Sequence, residues 1–133
     1  MAQDATIQGR PLLQWQAEHV CSADQKSLTR EILTRLGDKW TMLVVSTLAA
    51  GPQRFGSLLA QINGLSHRML TVTLRALERD GLVSRTAYAE VPPRVEYELT
   101  PLGGTLIEIV GTVIDWVDGH QGEVRENRAA FDA

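Results

Sequence analysis

Residues 66–101, SHRMLTVTLRALERDGLVSRTAYAEVPPRVEYELTP, set one helix-period pattern directly ahead of two strand-period patterns, and few folds accept that order in so short a space. Leu70, Leu74 and Leu77 recur at the 4 and 3 spacing of one helical face, while His67, Arg68, Thr71 and Arg75 fall on the other. One side can pack and the other can touch phosphates and base edges. Ser66 is positioned as N-cap, and Asp80-Gly81 ends the helix, because glycine takes the left-handed conformation after the last turn cheaply. Leu82, Val83, Thr86 and Tyr88 then form one strand-like run. Val95, Tyr97 and Leu99 alternate with Glu96 and Glu98 in a second. Between them Ala89–Arg94 (AEVPPR) cannot extend a ladder, since neither proline offers an N–H. The two runs therefore read as a hairpin with a stiff, projecting loop ending in Arg94.

Upstream, the apolar spacing predicts three more helices. Leu28, Ile32, Leu33 and Leu36 make a stripe that starts from Asp24 as N-cap and stops at Gly37. Asp38 caps the next, with Trp40, Leu43, Val44, Thr47 and Leu48 on one side as far as Gly51-Pro52. Phe55, Leu58, Leu59 and Ile62 form a third helix, and Asn63-Gly64 turns the chain into the fourth. Short helix, tight turn and outward-facing helix, followed by a hairpin, is the layout of a winged helix-turn-helix. After the hairpin, Thr100 caps a long helix begun by Pro101. Leu102, Leu106, Ile109, Val110, Val113, Ile114 and Val117 spread over an apolar face wider than a small domain needs. A symmetric dimer is the simplest way to cover it.

The expected fold class is thus mainly α with a small β-hairpin wing, dimerising through terminal helices. Three segments follow: an N-terminal tail with a short dimerisation segment (1–23), a winged helix-turn-helix (24–100), and a C-terminal dimerisation helix and tail (101–133). Residues 1–10 are polar and unpatterned, Pro11–Val20 offers a weak helix through Leu12, Leu13 and Trp15, and the chain after Gly119 is polar.

Composition bounds the partners. At 133 residues and 44% hydrophobic, the chain supports one domain with a core. Its net charge of −3 argues against indiscriminate coating of nucleic acid, but the charge is unevenly spread. Residues 1–50 balance five basic against five acidic groups, 51–95 carry six arginines against three acids, and 96–133 carry two basic against eight acidic. Positive charge is concentrated in the helix-turn-helix and wing. The single cysteine, Cys21, excludes an internal disulfide, and no basic, apolar leader signals export. No run approaches the ~18 apolar residues of a membrane span. A cytoplasmic protein with no membrane partner is the expectation. His19, Cys21, His67 and His120 form no metal-ligand spacing, and there is no phosphate-cradling glycine loop, nucleophile elbow or paired-carboxylate cleft. No metal, cofactor or enzymatic activity is expected.

With these residues in view, the chain resembles the HxlR-type transcriptional regulators, relatives of the MarR group, over roughly residues 27–117. The motifs are Gly37-Asp38-Lys39-Trp40, Gly51-Pro52-Gln53-Arg54-Phe55-Gly56, Ser66-His67-Arg68-Met69-Leu70-Thr71, Leu77-Glu78-Arg79-Asp80-Gly81-Leu82-Val83, Val91-Pro92-Pro93-Arg94-Val95-Glu96-Tyr97 and Leu99-Thr100-Pro101-Leu102-Gly103. The resemblance implies a three-helix core with a wing, dimerisation through the N- and C-terminal helices, duplex DNA as partner, and repression. In many oxidant-sensing members a cysteine occupies the position that here is Ser27, so a sensing thiol does not carry over. Cys21, further upstream, stands as either a redox sensor or an ordinary free cysteine, because a reactive thiol needs access and a lowered pKa.

The candidate DNA contacts are Ser66, His67, Arg68, Thr71, Val72 and Arg75 on the fourth helix, Arg54 ahead of the third, and Arg94 in the wing. Arg68 and Arg75 serve bases or phosphates. Val72 either meets a thymine methyl or grazes Phe55 or the hairpin, and Thr71 either reads a base or bonds back to its own backbone. Arg54 with backbone N–H groups can hold a phosphate, and Arg94 can enter or cross the minor groove. Arg85 and Tyr88 are secondary candidates, Arg79 is assigned to pairing with Glu78 or Asp80, and Trp40 and Tyr97 are assigned to packing. Two other readings remain: a winged-helix module for protein assembly, and a DNA-binding regulator governed by a small hydrophobic effector.

Overall fold

The computed structural model describes residues 6–7, 10–11 and 27–133, in two compact units, 1–39 and 40–133. In the first unit, β1 (Thr6–Ile7) pairs antiparallel with β2 (Arg10–Pro11), where the sequence offers no pattern. Helix α1 (Leu28–Leu36) follows. Its N-cap is Ser27 rather than Asp24: the Ser27 side chain accepts the Arg30 N–H at 3.2 Å and thereby satisfies a donor of the first turn. Asp24, Cys21 and the short helix expected through Leu12, Leu13 and Trp15 lie outside the described residues.

The second unit holds the fold that carries function. Helix α2 (Lys39–Leu48) buries Thr41, Val44, Val45 and Leu48, a run at 3, 1 and 3 spacing on one face. Leu43, expected on that face, is 43% exposed, because its direction is set off from the Val44–Leu48 stripe. After Gly51, β3 (Gln53–Arg54) leads into α3 (Phe55–Gln61), which buries Leu58. The Gln53 side chain donates to the Thr47 carbonyl at 2.6 Å and accepts from Ser57 at 3.1 Å and from Gln61, tying the end of α2 to α3. Gly64 turns the chain at φ +82°, and α4 (His67–Arg79) begins from Ser66.

Helix α4 ends at Asp80, and Gly81, at φ +76°, takes the left-handed conformation that reverses the chain into β4 (Val83–Tyr88). Strand β5 (Arg94–Leu99) returns antiparallel, with Val83 opposite Leu99 and Tyr88 opposite Arg94. The sheet has three strands in the order β3-β5-β4, Gln53 lying opposite Tyr97 and Arg54 opposite Glu96. A two-residue strand has no readable period, so β3 is not visible in the sequence.

Helix α5 (Pro101–Asp132) starts from Thr100, whose Oγ1 accepts the Gly103 N–H at 3.1 Å and donates to the Gly81 carbonyl at 2.5 Å. Gly103 is buried against Leu82: a Cβ there would stand 2.1 Å from the Leu82 carbonyl oxygen. Leu106 and Val110 complete the packed stripe of α5. The helix does not end near Gly119 but continues to Asp132. Gly119 and Gly122 cost only about 1 kcal/mol each relative to alanine, and the side-chain pairs Gln121–Asp118 (3.1 Å) and Arg125–Gln121 (3.2 Å) link successive turns. The core of the second unit comprises Val44, Val45 and Leu48 from α2, Leu58 and Ile62 from α3 and its cap, Leu65, Leu70, Leu74 and Leu77, Val83, Leu106 and Val110. No described helix is long and apolar enough to cross a membrane.

Candidate nucleic-acid interface

Helix α4 divides cleanly into two faces. Leu70, Leu74 and Leu77 are each at most 2% exposed, and they anchor the helix to the core. On the opposite side Arg68, Arg75 and Arg79 are exposed and Val72 is 61% exposed, at the i, i+4, i+7 and i+11 positions of one stripe. Val72 therefore points outward instead of packing on Phe55 or the hairpin. The Ser66 side chain accepts the Met69 N–H at 3.1 Å and fixes where this stripe begins. The His67 ring lies 4.5 Å from the Phe55 ring in a tilted arrangement, so α3 and the first turn of α4 meet through that pair. The Thr71 hydroxyl donates to the His67 carbonyl at 2.9 Å, the local bond expected of a helical threonine.

The arginines differ in surroundings more than in exposure. Among the described residues Arg54, Arg68, Arg75 and Arg85 make no ion pair. Arg94 is the contrary case. It is the first residue of β5 and not the end of a projecting loop, because Tyr88 opposite it extends the ladder to that position. Its guanidinium carbon sits 4.1 Å from the Tyr88 ring centroid, and its nitrogens lie 3.3 Å from Glu90 and 3.8 Å from Glu96. The tip of the hairpin is instead Val91, fully exposed, ahead of a cis peptide to Pro92.

Between α4 and the sheet lies a cleft of about 350 Å³ lined by Phe55, Thr71, Leu74, Arg75, Glu78, Arg85 and Tyr97. It draws Arg85 of β4 beside the outward face of α4. Their proximity depends on the α4–β4 turn and is not readable from residue spacing. Tyr97 contributes to this lining as well as to the half-buried inner strand. Arg54 occupies the N-cap position of α3 without a side-chain cap bond, exposed and opposite Glu96 in the ladder. No three His, Cys, Asp or Glu side chains among the described residues come together as metal ligands.

This arrangement, an arginine-bearing helix seated on a helix-turn-helix with a hairpin beside it, matches the family model for HxlR-like helix-turn-helix proteins over residues 35–125. The chain belongs to the HxlR-like family. It is 43% identical over 105 residues to the HTH-type transcriptional regulator YtfH of Escherichia coli K12, a match covering 77% of this chain and 83% of that one. Among solved structures it is similar to the transcriptional regulator ytfH from Salmonella typhimurium, with a TM-score of 0.73 and 36% identity over 79% of this chain and 94% of that one. It is also similar to the redox regulator HypR in its reduced form, with a TM-score of 0.69 and 35% identity over 75% and 99% of the two chains. The HxlR-like chain is a DNA-binding transcriptional regulator of helix-turn-helix type with a winged-helix fold, and not an enzyme.

Proposed function

We propose that the protein is a dimeric, sequence-specific repressor that binds an inverted repeat in duplex DNA. The observation that carries this reading is the outward stripe of α4, where Arg68, Val72 and Arg75 stand free beside Ser66, His67 and Thr71 while the opposite face is fully buried. Set into a major groove, Arg68 and Arg75 are donors for guanine edges or phosphates, and Val72 meets a thymine methyl. His67 at the first turn and the backbone N–H groups near Ser66 face the flanking phosphates. Arg54 adds a phosphate contact from the other side of the turn, and the wing around Arg94 adds a second point of attachment.

The dimer is supported by α5. Its packed stripe of Gly103, Leu106 and Val110 continues at helical spacing into Val113 and Val117, which are 43% and 45% exposed, with Ile109 and Trp116 beside them. Such a stripe fits a second copy, and a two-fold axis would set two α4 helices about one DNA turn apart. Repression follows from occupancy, since a compact dimer on a promoter excludes polymerase without further surfaces. The segments 1–23, 24–100 and 101–133 would then serve as N-terminal dimerisation arm, DNA reader and C-terminal dimerisation helix.

Selection from random duplexes followed by salt titration tests the reading. The expected result is an inverted repeat whose affinity falls steeply with salt, by close to one log unit per log unit of salt for each phosphate contact. Recovery only of asymmetric sequences, or uniform weak binding, would overturn it.

A thiol-responsive version is favoured by one observation, the similarity to structures described as the redox regulator HypR and as diamide-treated YodB from B. subtilis. In this chain position 27 holds a serine that caps α1, leaving Cys21 as the thiol. Operator affinity that is unchanged after mild peroxide treatment would remove Cys21 as a sensor.

A further inference from the structure

The two arginines of the hairpin stand in opposite electrostatic surroundings. Arg85 in β4 is exposed, has no carboxylate partner among the described residues, and shares a cleft with Thr71 and Arg75 of α4; Glu78 is the one acid in that lining. Arg94 in β5 is enclosed. Its side chain is 29% exposed, its plane lies over Tyr88, and Glu90 and Glu96 both approach it. Its Nε is shielded from solvent without a hydrogen-bond partner. Because Tyr88 and Arg94 are cross-strand neighbours, their contact closes the final rung before Val91 at the tip, and Glu90 brings the near side of the loop onto the same guanidinium. To meet a phosphate, Arg94 would have to leave two carboxylates and an aromatic face. Arg85 would have to leave nothing.

Resting on the DNA-binding reading above, we propose that the hairpin arginines divide the work: Arg85 and Arg75 together hold one backbone phosphate in their shared cleft, while Arg94 is a positioning residue that locks the wing tip. Two arginines lining one cleft can match the several acceptor oxygens of a phosphate with charge-assisted bonds. With only Glu78 among them, the cleft keeps net positive charge for that contact. The wing tip then meets the duplex with its shape already set, which lowers the ordering cost of docking.

The test measures the slope of log affinity against log salt on the selected operator, for the full chain and for Arg75→Ala, Arg85→Ala, the double variant, Arg94→Ala, Tyr88→Ala and Tyr88→Phe. Each lost phosphate contact lowers the slope by about 0.9. The expected result is a partial loss in either cleft variant, because the remaining arginine still meets the shared phosphate, and a loss of about 0.9 per protomer in the double variant. Arg94→Ala and Tyr88→Ala should weaken binding about tenfold with the slope unchanged and should speed amide exchange over residues 88–95 in the free protein, whereas Tyr88→Phe should leave both at wild type. A full slope loss in Arg94→Ala with exchange unaltered would make Arg94 the phosphate contact and overturn the division, as would an unaltered slope in Arg85→Ala. Wild-type affinity in Arg68→Ala and Arg75→Ala alike would instead defeat the DNA-binding reading itself, while the exchange measurement still reports on the Arg94 lock.

Discussion

Helices α4 and α5 are both amphipathic, yet only α4 has its apolar face closed by its own domain. Leu70, Leu74 and Leu77 are buried and the outward stripe of α4 carries three arginines around Val72, whereas α5 buries Gly103, Leu106 and Val110 and then runs on with Val113, Val117 and Trp116 uncovered. An exposed face that is charged asks for a polyanion, and one that is apolar asks for another apolar surface. The two helices thus divide recognition from assembly, and each can be disturbed without the other.

The largest expected effect separates them at α5. Val113→Glu places a carboxylate where the proposed dimer buries a valine, and an unpaired buried charge costs several kcal/mol. Sedimentation should show a monomer with wild-type helix content, and operator affinity should fall by a factor of about 100 or more, since ~2.7 kcal/mol already corresponds to that ratio. A dimer that survives the substitution would remove α5 as the assembly surface. At α4, Leu74→Ala should lower stability by roughly 2–5 kcal/mol, because the side chain is 2% exposed and its removal leaves a cavity in the core. Denaturant unfolding reads this directly, and a loss below 1 kcal/mol would mean that α4 is not anchored as described.

Next in size is the joint between the two helices. Gly103→Ala would put a Cβ 2.1 Å from the Leu82 carbonyl oxygen and 3.1 Å from a Leu99 methyl, both fixed by the hairpin that follows α4. Overpacking of this kind costs about 1–3 kcal/mol. The variant should melt several degrees lower, and a melting temperature equal to wild type would show that the base of α5 can move away freely.

Much of the division was legible in the residues. The spacing of Leu70, Leu74 and Leu77, the Ser66 and Thr100 caps, the Asp80-Gly81 stop and the alternation of Val95, Tyr97 and Leu99 are all local signals, and each appears in the structure where local rules put it. What stayed hidden depends on chain reversal. Strand β3 is two residues long and exists only because β5 lies beside it. Arg94 reads as a loop cation until Tyr88 is brought opposite and Glu90 and Glu96 fold onto it, and Arg85 reads only as a secondary DNA contact until α4 delivers Arg75 to the same cleft. The polar chain after Gly119 carries no apolar stripe to read, and its helix continues because Gly119 and Gly122 cost little beside the cooperativity of a helix already formed.

The smallest effect compares the two caps. Ser66 accepts one backbone bond, from Met69, while Thr100 accepts from Gly103 and also donates to the Gly81 carbonyl across the α4–β4 turn. Replacing a capping side chain by alanine costs about 1 kcal/mol, and a lost side-chain hydrogen bond adds a similar amount. Thr100→Ala should therefore cost about twice as much as Ser66→Ala in denaturant midpoint at unchanged slope. Ser66→Gly should recover all but a few tenths of a kcal/mol, since glycine tolerates the cap backbone and leaves the first N–H groups open to water. Equal losses in Thr100→Ala and Ser66→Ala would mean that the Thr100–Gly81 bond contributes nothing, and that α4 and α5 are joined only through the packing of Gly103 on Leu82.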